Sequence, residues 1–246
     1  MTLIRRSGAL ISAAAVLAAG CSHTVTGTAH PGAHLGTAPV TTSPTTTPAP
    51  PPVTPADLSR ILLGRDAIAV LTDAPDIAQT GQDWTAVNNL GAFIDDPSCG
   101  SIPGSTESTL YANSGYISIR GNRFETPVGG PLQGKADVTQ AAASFLTSVD
   151  ARAFLDRTED VWRSCANRSF AFDFSDGVHG HLEVGSPVKD PDRVAIPLNQ
   201  QDDPAWRCSH VMAVRNTVAV ESRICMHRGD PAAAADDAVN QMLADR

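Results

Sequence analysis

Between Trp206 and Cys225 the chain reads WRCSHVMAVRNTVAVESRIC. Residues 211–220 predict a β-hairpin turning at Asn216-Thr217. In a two-residue turn every paired position is the same distance from the turn, so Arg215 opposes Val218 and Cys208 opposes Cys225. Counting outward from the turn, alternate pairs are non-hydrogen-bonded, and 208/225 falls in that closer class. Its expected Cα separation of ~4.5 Å is one that a disulfide tolerates. Val211, Ala213, Val218, Val220 and Ile224 then form the hairpin's apolar face. Asn-Thr replaces the preferred Asn-Gly but supports the same turn. His210 and Glu221 sit diagonally across the two strands and read as a polar pair on the surface.

The other three cysteines follow from this pairing. The chain of 246 residues has five cysteines. Cys21 ends a segment with the three parts of an export signal: Arg5 and Arg6 as a positive start, an apolar run over 9–19, and the small residues Ala18-Ala19-Gly20. The apolar run is far short of the ~20 residues that span a bilayer. A cysteine directly after small residues resembles a bacterial lipobox, with Ala18 in place of the usual Leu. Residues 1–20 are therefore expected to be a lipoprotein signal peptide, with lipid on Cys21. Arg5-Arg6 lacks the rest of a twin-arginine motif and is read as a plain positive start. With Cys21 assigned to lipid, four thiols remain in an exported chain and read as two disulfides. Cys208–Cys225 leaves Cys99 to pair with Cys165. The chain-entropy model assigns ~3 kcal/mol to the short loop and ~4 kcal/mol to the long one.

The net charge is −8, and −10 once Arg5 and Arg6 are removed with the signal. So acidic a chain has no electrostatic footprint for nucleic acid. Nor does it gain from an anionic membrane surface, so membrane attachment falls to the lipid, which holds stably with two or more acyl chains. Residues 21–53 form the lipidated N-terminus and a tether. The part over 37–55 is mainly Thr, Pro, Ala and Ser (TAPVTTSPTTTPAPPPVTP), too poor in apolar groups to offset ordering entropy. Such a tether reaches ~100 Å as an extended polyproline chain and ~30 Å as a flexible coil. Its threonines are plausible O-glycosylation acceptors.

Order is expected over 54–246. Thr54 can cap a helix with Pro55 at its first position and Asp57 in the first turn. Leu58, Ile61 and Leu62 share a face, and Gly64 closes the helix. Asp66 can cap a second short helix carrying Ile68, Val70 and Leu71. Residues 76–114 are turn-rich. Residues 116–120 (YISIR) alternate as a half-buried strand does, and 138–147 read as another. Ser148 is a cap candidate for the clearest helix, with Asp150 in its first turn; Ala151, Phe154, Leu155, Thr158, Val161 and Trp162 line one face. Alternating segments follow near 169–174, 180–184 and 193–198. A final helix starts at Asp230 and Pro231 and turns Ala235, Val239, Met242 and Leu243 inward. The fold class that results is α+β: a mainly antiparallel sheet flanked by helices, carrying two disulfides.

No nucleophile elbow or P-loop is present, and no S-x-x-K has plausible partners. His179-Gly-His181 places two imidazoles on one strand face, but it lacks an evident third and fourth metal ligand. Asp173 and Asp176 could contribute, although a solvated hairpin tip is the simpler reading. Asp95-Asp96 and Asp202-Asp203 read as solvated loop carboxylates. The four remaining thiols are spent in disulfides. No cofactor, metal site or catalytic group is expected, and the chain reads as a non-enzyme.

Several pieces together carry a family resemblance: 57–63 (DLSRILL), 150–155 (DARAFL), 162–168 (WRSCANR), 206–208 (WRC), and 214–218 (VRNTV) followed by Cys225. Across 54–244 the chain resembles the PknH-like extracellular sensor domain of mycobacterial receptor kinases and the lipoproteins that carry it. The resemblance implies a twisted antiparallel sheet flanked by helices, two disulfides, a cleft for a ligand and a mycobacterial or related source. It implies no ligand identity and no catalytic residue. The expected function is a lipid-anchored, sensor-like ligand-binding domain on the extracytoplasmic face of the cell membrane, dependent on a partner to pass on a signal. The alternatives are a docking protein for another envelope protein and, on His179 and His181, a hydrolase.

Overall fold

The computed structural model describes residues 53–127, 136–173 and 179–244. The segment containing Cys21, the signal peptide and most of the tether lie outside these residues, as do Asp176 and the end of the strand expected to reach residue 174. The hairpin turns at Asn216, whose left-handed φ of 53° suits an asparagine. Strands β8 (Asp203–Arg215) and β9 (Val218–Met226) keep the register read from the sequence, with Arg215 opposite Val218 and Cys208 opposite Cys225. One expectation is corrected. The hairpin has two buried faces, not one. Val211, Ala213, Val218, Val220 and Ile224 enter one cluster, while Met212, Val214, Ala219 and both cysteines enter another.

The reason is position in the sheet. β8 also pairs with β7 (Arg193–Gln200), and β9 with β3 (Ala136–Phe145), so neither strand is an edge. The named strands, all antiparallel, are completed by β1 (Ala78–Gln79), β2 (Tyr116–Glu125), β4 (Ser169–Asp173), β5 (His179–Val184) and β6 (Val188–Asp190). Their order is β1-β2-β3-β9-β8-β7-β5-β4, with β6 also on β7. Central strands covered on both sides need apolar residues in both phases, which the run Val211-Met212-Ala213-Val214 supplies.

Helices α1 (Pro55–Ile61), α2 (Arg65–Thr72) and α5 (Pro231–Leu243) cover one face. Asp57 accepts from the Thr54 N–H (2.9 Å) and hydroxyl (2.6 Å), as the capping reading requires. Gly64 does not close α1. Leu62 takes the C-cap place in extended conformation, and Gly64 becomes the N-cap of α2, displacing Asp66 from that role. In α2, Ile68 is fully buried while Val70, two positions on and so on another side of the helix, is 82% exposed. In α5, Asp230 accepts from the Ala232 and Ala233 N–H groups, and Ala235, Val239, Met242 and Leu243 are buried as expected.

The opposite face carries α4 (Ser148–Ser164). Its N-cap is Thr147, one residue earlier than Ser148: the Thr147 hydroxyl accepts from the Asp150 N–H at 3.1 Å, and Asp150 accepts from the Thr147 N–H at 3.1 Å. Ala151, Phe154, Leu155, Thr158 and Trp162 are buried on the sheet. The rest of that face is covered by the turn-rich segment, including α3 (Ser108–Tyr111) and short 3-10 turns at Leu90–Phe93 and Pro97–Cys99. Cys99–Cys165 ties this segment to the end of α4.

Candidate functional site

The residues singled out by sequence do not converge. His179 and His181 lie on β5, both exposed; His179 is opposite Asp173 on β4. The His181 N–H donates to Asp202 at 3.1 Å. No group of three or more potential metal ligands occurs among the described residues. Of the acidic pairs, Asp95 and Asp202 are exposed as expected, while Asp96 accepts from Ser98 and from Arg168 (2.6 Å). Those bonds hold its carboxyl below the usual range, Ser98 contributing most.

The reading of His210 and Glu221 as a surface pair is overturned. The diagonal register holds, with His210 opposite Arg223 and Met212 opposite Glu221, but the two residues are 0% and 1% exposed. His210 Nδ1 lies 2.9 Å from the Ile102 carbonyl, which can only accept, so Nδ1 carries a proton. Nε2 lies 3.1 Å from Glu221 Oε2, within hydrogen-bonding distance. The other carboxylate oxygen accepts from the Thr106 N–H (2.8 Å) and the Tyr111 hydroxyl (2.9 Å). Burial, then the neighbouring Glu221, raises the Tyr111 phenol well above its usual value. Trp162 packs on His210 with ring centroids 4.8 Å apart. The network is buried, and it fastens residues 102–111 onto the sheet.

Beside it the same face opens into a cleft of about 660 Å³. The helix α4 does not extend over this end of β8 and β9, so the Cys208–Cys225 disulfide lies in the cleft lining. Trp84 forms part of one wall, stacked so closely on β2 that a Cβ on Gly121 would meet its ring at 2.3 Å. Trp206 stands elsewhere in the lining, its ring 4.8 Å from that of His227. His227 is in turn held by Asp203 at 2.7 Å, a bond that lowers the Asp203 pKa. Across the floor, Asp137 bridges two arginines, Arg123 at 2.5 Å and Arg223 at 3.0 Å. Arg223 also donates to the Pro103 carbonyl at 2.7 Å. Sequence reading missed this site because its lining comes from seven separated segments. One signal was available: in a chain with 5% aromatic residues, Trp84 and Trp206 sit among polar neighbours and not on an apolar stripe.

A family model described as the PknH-like extracellular domain matches residues 53–245. Over 190 residues the chain is 26% identical to the serine/threonine-protein kinase PknH of Mycobacterium tuberculosis, covering 75% of this chain and 29% of the kinase. It is 25% identical to PknH of Mycobacterium bovis, covering 75% and 31% respectively. The chain thus spans less than a third of the length of these kinases. The crystal structure of the extracellular domain of PknH from Mycobacterium tuberculosis shares the fold, with a TM-score of 0.68 at 21% identity over 79% of this chain and 99% of that one. The antiparallel sheet, its flanking helices and the matched span together place the chain in the PknH-like extracellular domain family.

Proposed function

We propose that this chain is a sensor-like domain that binds a ligand in the cleft above the Cys208–Cys225 disulfide, held at the extracytoplasmic face of the cell membrane by lipid on Cys21. The observation that carries the reading is the cleft itself. Its volume of about 660 Å³ falls within the range of small-molecule sites, ~300–1,000 Å³. Its walls include Trp84, Phe172 and Trp206, and within it Asp137 pairs with Arg123 and Arg223, and Asp203 with His227. A disulfide and a salt-bridged floor keep such a site preformed, which lowers the ordering cost of binding. The side chains present bind and orient; no nucleophile with an adjacent base stands in the cleft lining. Passing on a signal then requires a partner that has its own route across the membrane.

A thermal-shift screen of the purified chain against envelope lipids, glycans and peptides tests the reading, because a ligand selective for the folded state raises Tm. Stabilisation by one class is the expected result. Absence of any shift, together with in-cell cross-linking to one stoichiometric protein partner, would favour a docking role instead.

A further inference from the structure

We infer that the cleft takes an uncharged carbohydrate, a short neutral oligosaccharide stacked on Trp206 and Trp84 with its hydroxyls on the Arg123–Asp137–Arg223 floor. The inference rests on the ligand-binding reading above and adds the chemistry of the ligand. Charge comes first. Both arginines are already engaged by Asp137, at 2.5 and 3.0 Å, and Arg123 also meets Glu125 at 3.0 Å. Asp203 and His227 are hydrogen-bonded to each other at 2.7 Å. Arg123 and Arg223 are matched in the lining by Asp137 and Asp203, two charges of each sign, and an anionic ligand would have to compete with Asp137 for its cations.

Leu90, Ile94, Phe172 and Leu182 give the lining an apolar part, but an acyl chain filling the cleft would also cover the charged floor and forfeit its remaining hydration. A peptide added as a strand is also disfavoured. β3, β9 and β8 are interior strands whose backbone groups are consumed by neighbours on both sides. A pyranose meets all of these constraints. Its C–H faces are apolar and suit an indole ring, while its hydroxyls both donate and accept, matching planar guanidinium and carboxylate groups fixed in one array. The Trp206 ring is held in place for this role by His227, which Asp203 orients.

The test is a titration followed by intrinsic fluorescence, to which the cleft tryptophans contribute directly. The probes are neutral gluco-, manno- and galacto-oligosaccharides, an oligouronate, sodium laurate and a mixture of short peptides. A saturable change with a neutral oligosaccharide is expected. Trp206→Ala should weaken it about tenfold, the scale of one lost stacking partner, and Trp206→Phe should retain most of the affinity. Unchanged circular dichroism keeps the comparison at the level of binding. Saturable binding of uronate, laurate or peptide without neutral oligosaccharide overturns the carbohydrate assignment and leaves the cleft as a ligand site. Glycan binding insensitive to Trp206→Ala overturns the assignment of the site. No response to any probe overturns both readings.

Discussion

Cys208 and Cys225 face each other directly across β8 and β9, with Cα atoms 3.9 Å apart. Their disulfide joins two strands that already pair from Arg207 opposite Met226 to Arg215 opposite Val218, and it does so in the lining of the cleft. Replacing both with alanine is expected to cost about 3 kcal/mol, the chain-entropy value for a loop of this size. Urea denaturation of the double variant measures it, and a midpoint equal to that of the parent chain would refute this.

Glu221 is the acceptor on which His210, Tyr111 and the Thr106 N–H converge. Glu221→Ala leaves three buried donors without their partner. A loss of about 3–5 kcal/mol is expected, the range for breaking a buried pair from one side. Glu221→Gln, which keeps the shape and a carbonyl acceptor, should lose less. Equal losses for the two variants would show that volume matters here more than hydrogen bonding.

Tyr111 sets a limit on alkaline stability. Its phenol is raised well above 10.0 by burial and by Glu221. A folded-state pKa above the unfolded value favours the folded state fully only below the unfolded pKa. Stability should therefore decline as pH rises from about 10 toward the folded value. Denaturant midpoints at rising pH should fall in the parent chain, and fall less steeply in Tyr111→Phe, whose starting stability is lower by the missing hydrogen bond.

Gly121 has no room for a side chain, since a Cβ there meets the Trp84 ring at 2.3 Å. Gly121→Val is expected to push Trp84 off β2, with a cost of about 1–3 kcal/mol from overpacking and a change in tryptophan emission. A native emission spectrum in this variant would show that Trp84 does not rest where we place it.

The lipid attachment proposed for Cys21 is separable from the folded domain. Cys21→Ser should abolish incorporation of a labelled fatty acid and release the chain from the membrane fraction. Retention of label in that variant would remove Cys21 as the attachment point.

Much of the frame was legible because it depends on short-range rules. The 208/225 pairing followed from counting outward from one turn, and the Asp230-Pro231 start and buried stripe of α5 followed from capping and helical period. Errors arose where two local solutions were equally good. Thr147 and Ser148 are both competent caps, and the reciprocal bonds with Asp150, three residues after Thr147, select the first. Gly64 could end one helix or begin another, and with three residues between α1 and α2 it begins the second.

The sequence alone thus specified the hairpin register, the disulfide pairs, the principal helices and the α+β class, because each is set by neighbours along the chain or by the parity of a few residues. Tertiary structure decided the rest. Whether His210 and Glu221 meet water or a buried network depends on residues 102–111, more than 90 positions away, folding over them. Whether Trp84, Asp137 and Trp206 share one cleft depends on the order of strands in the sheet. Burial and convergence are properties of contacts between distant segments, and no local pattern encodes which segment will cover another.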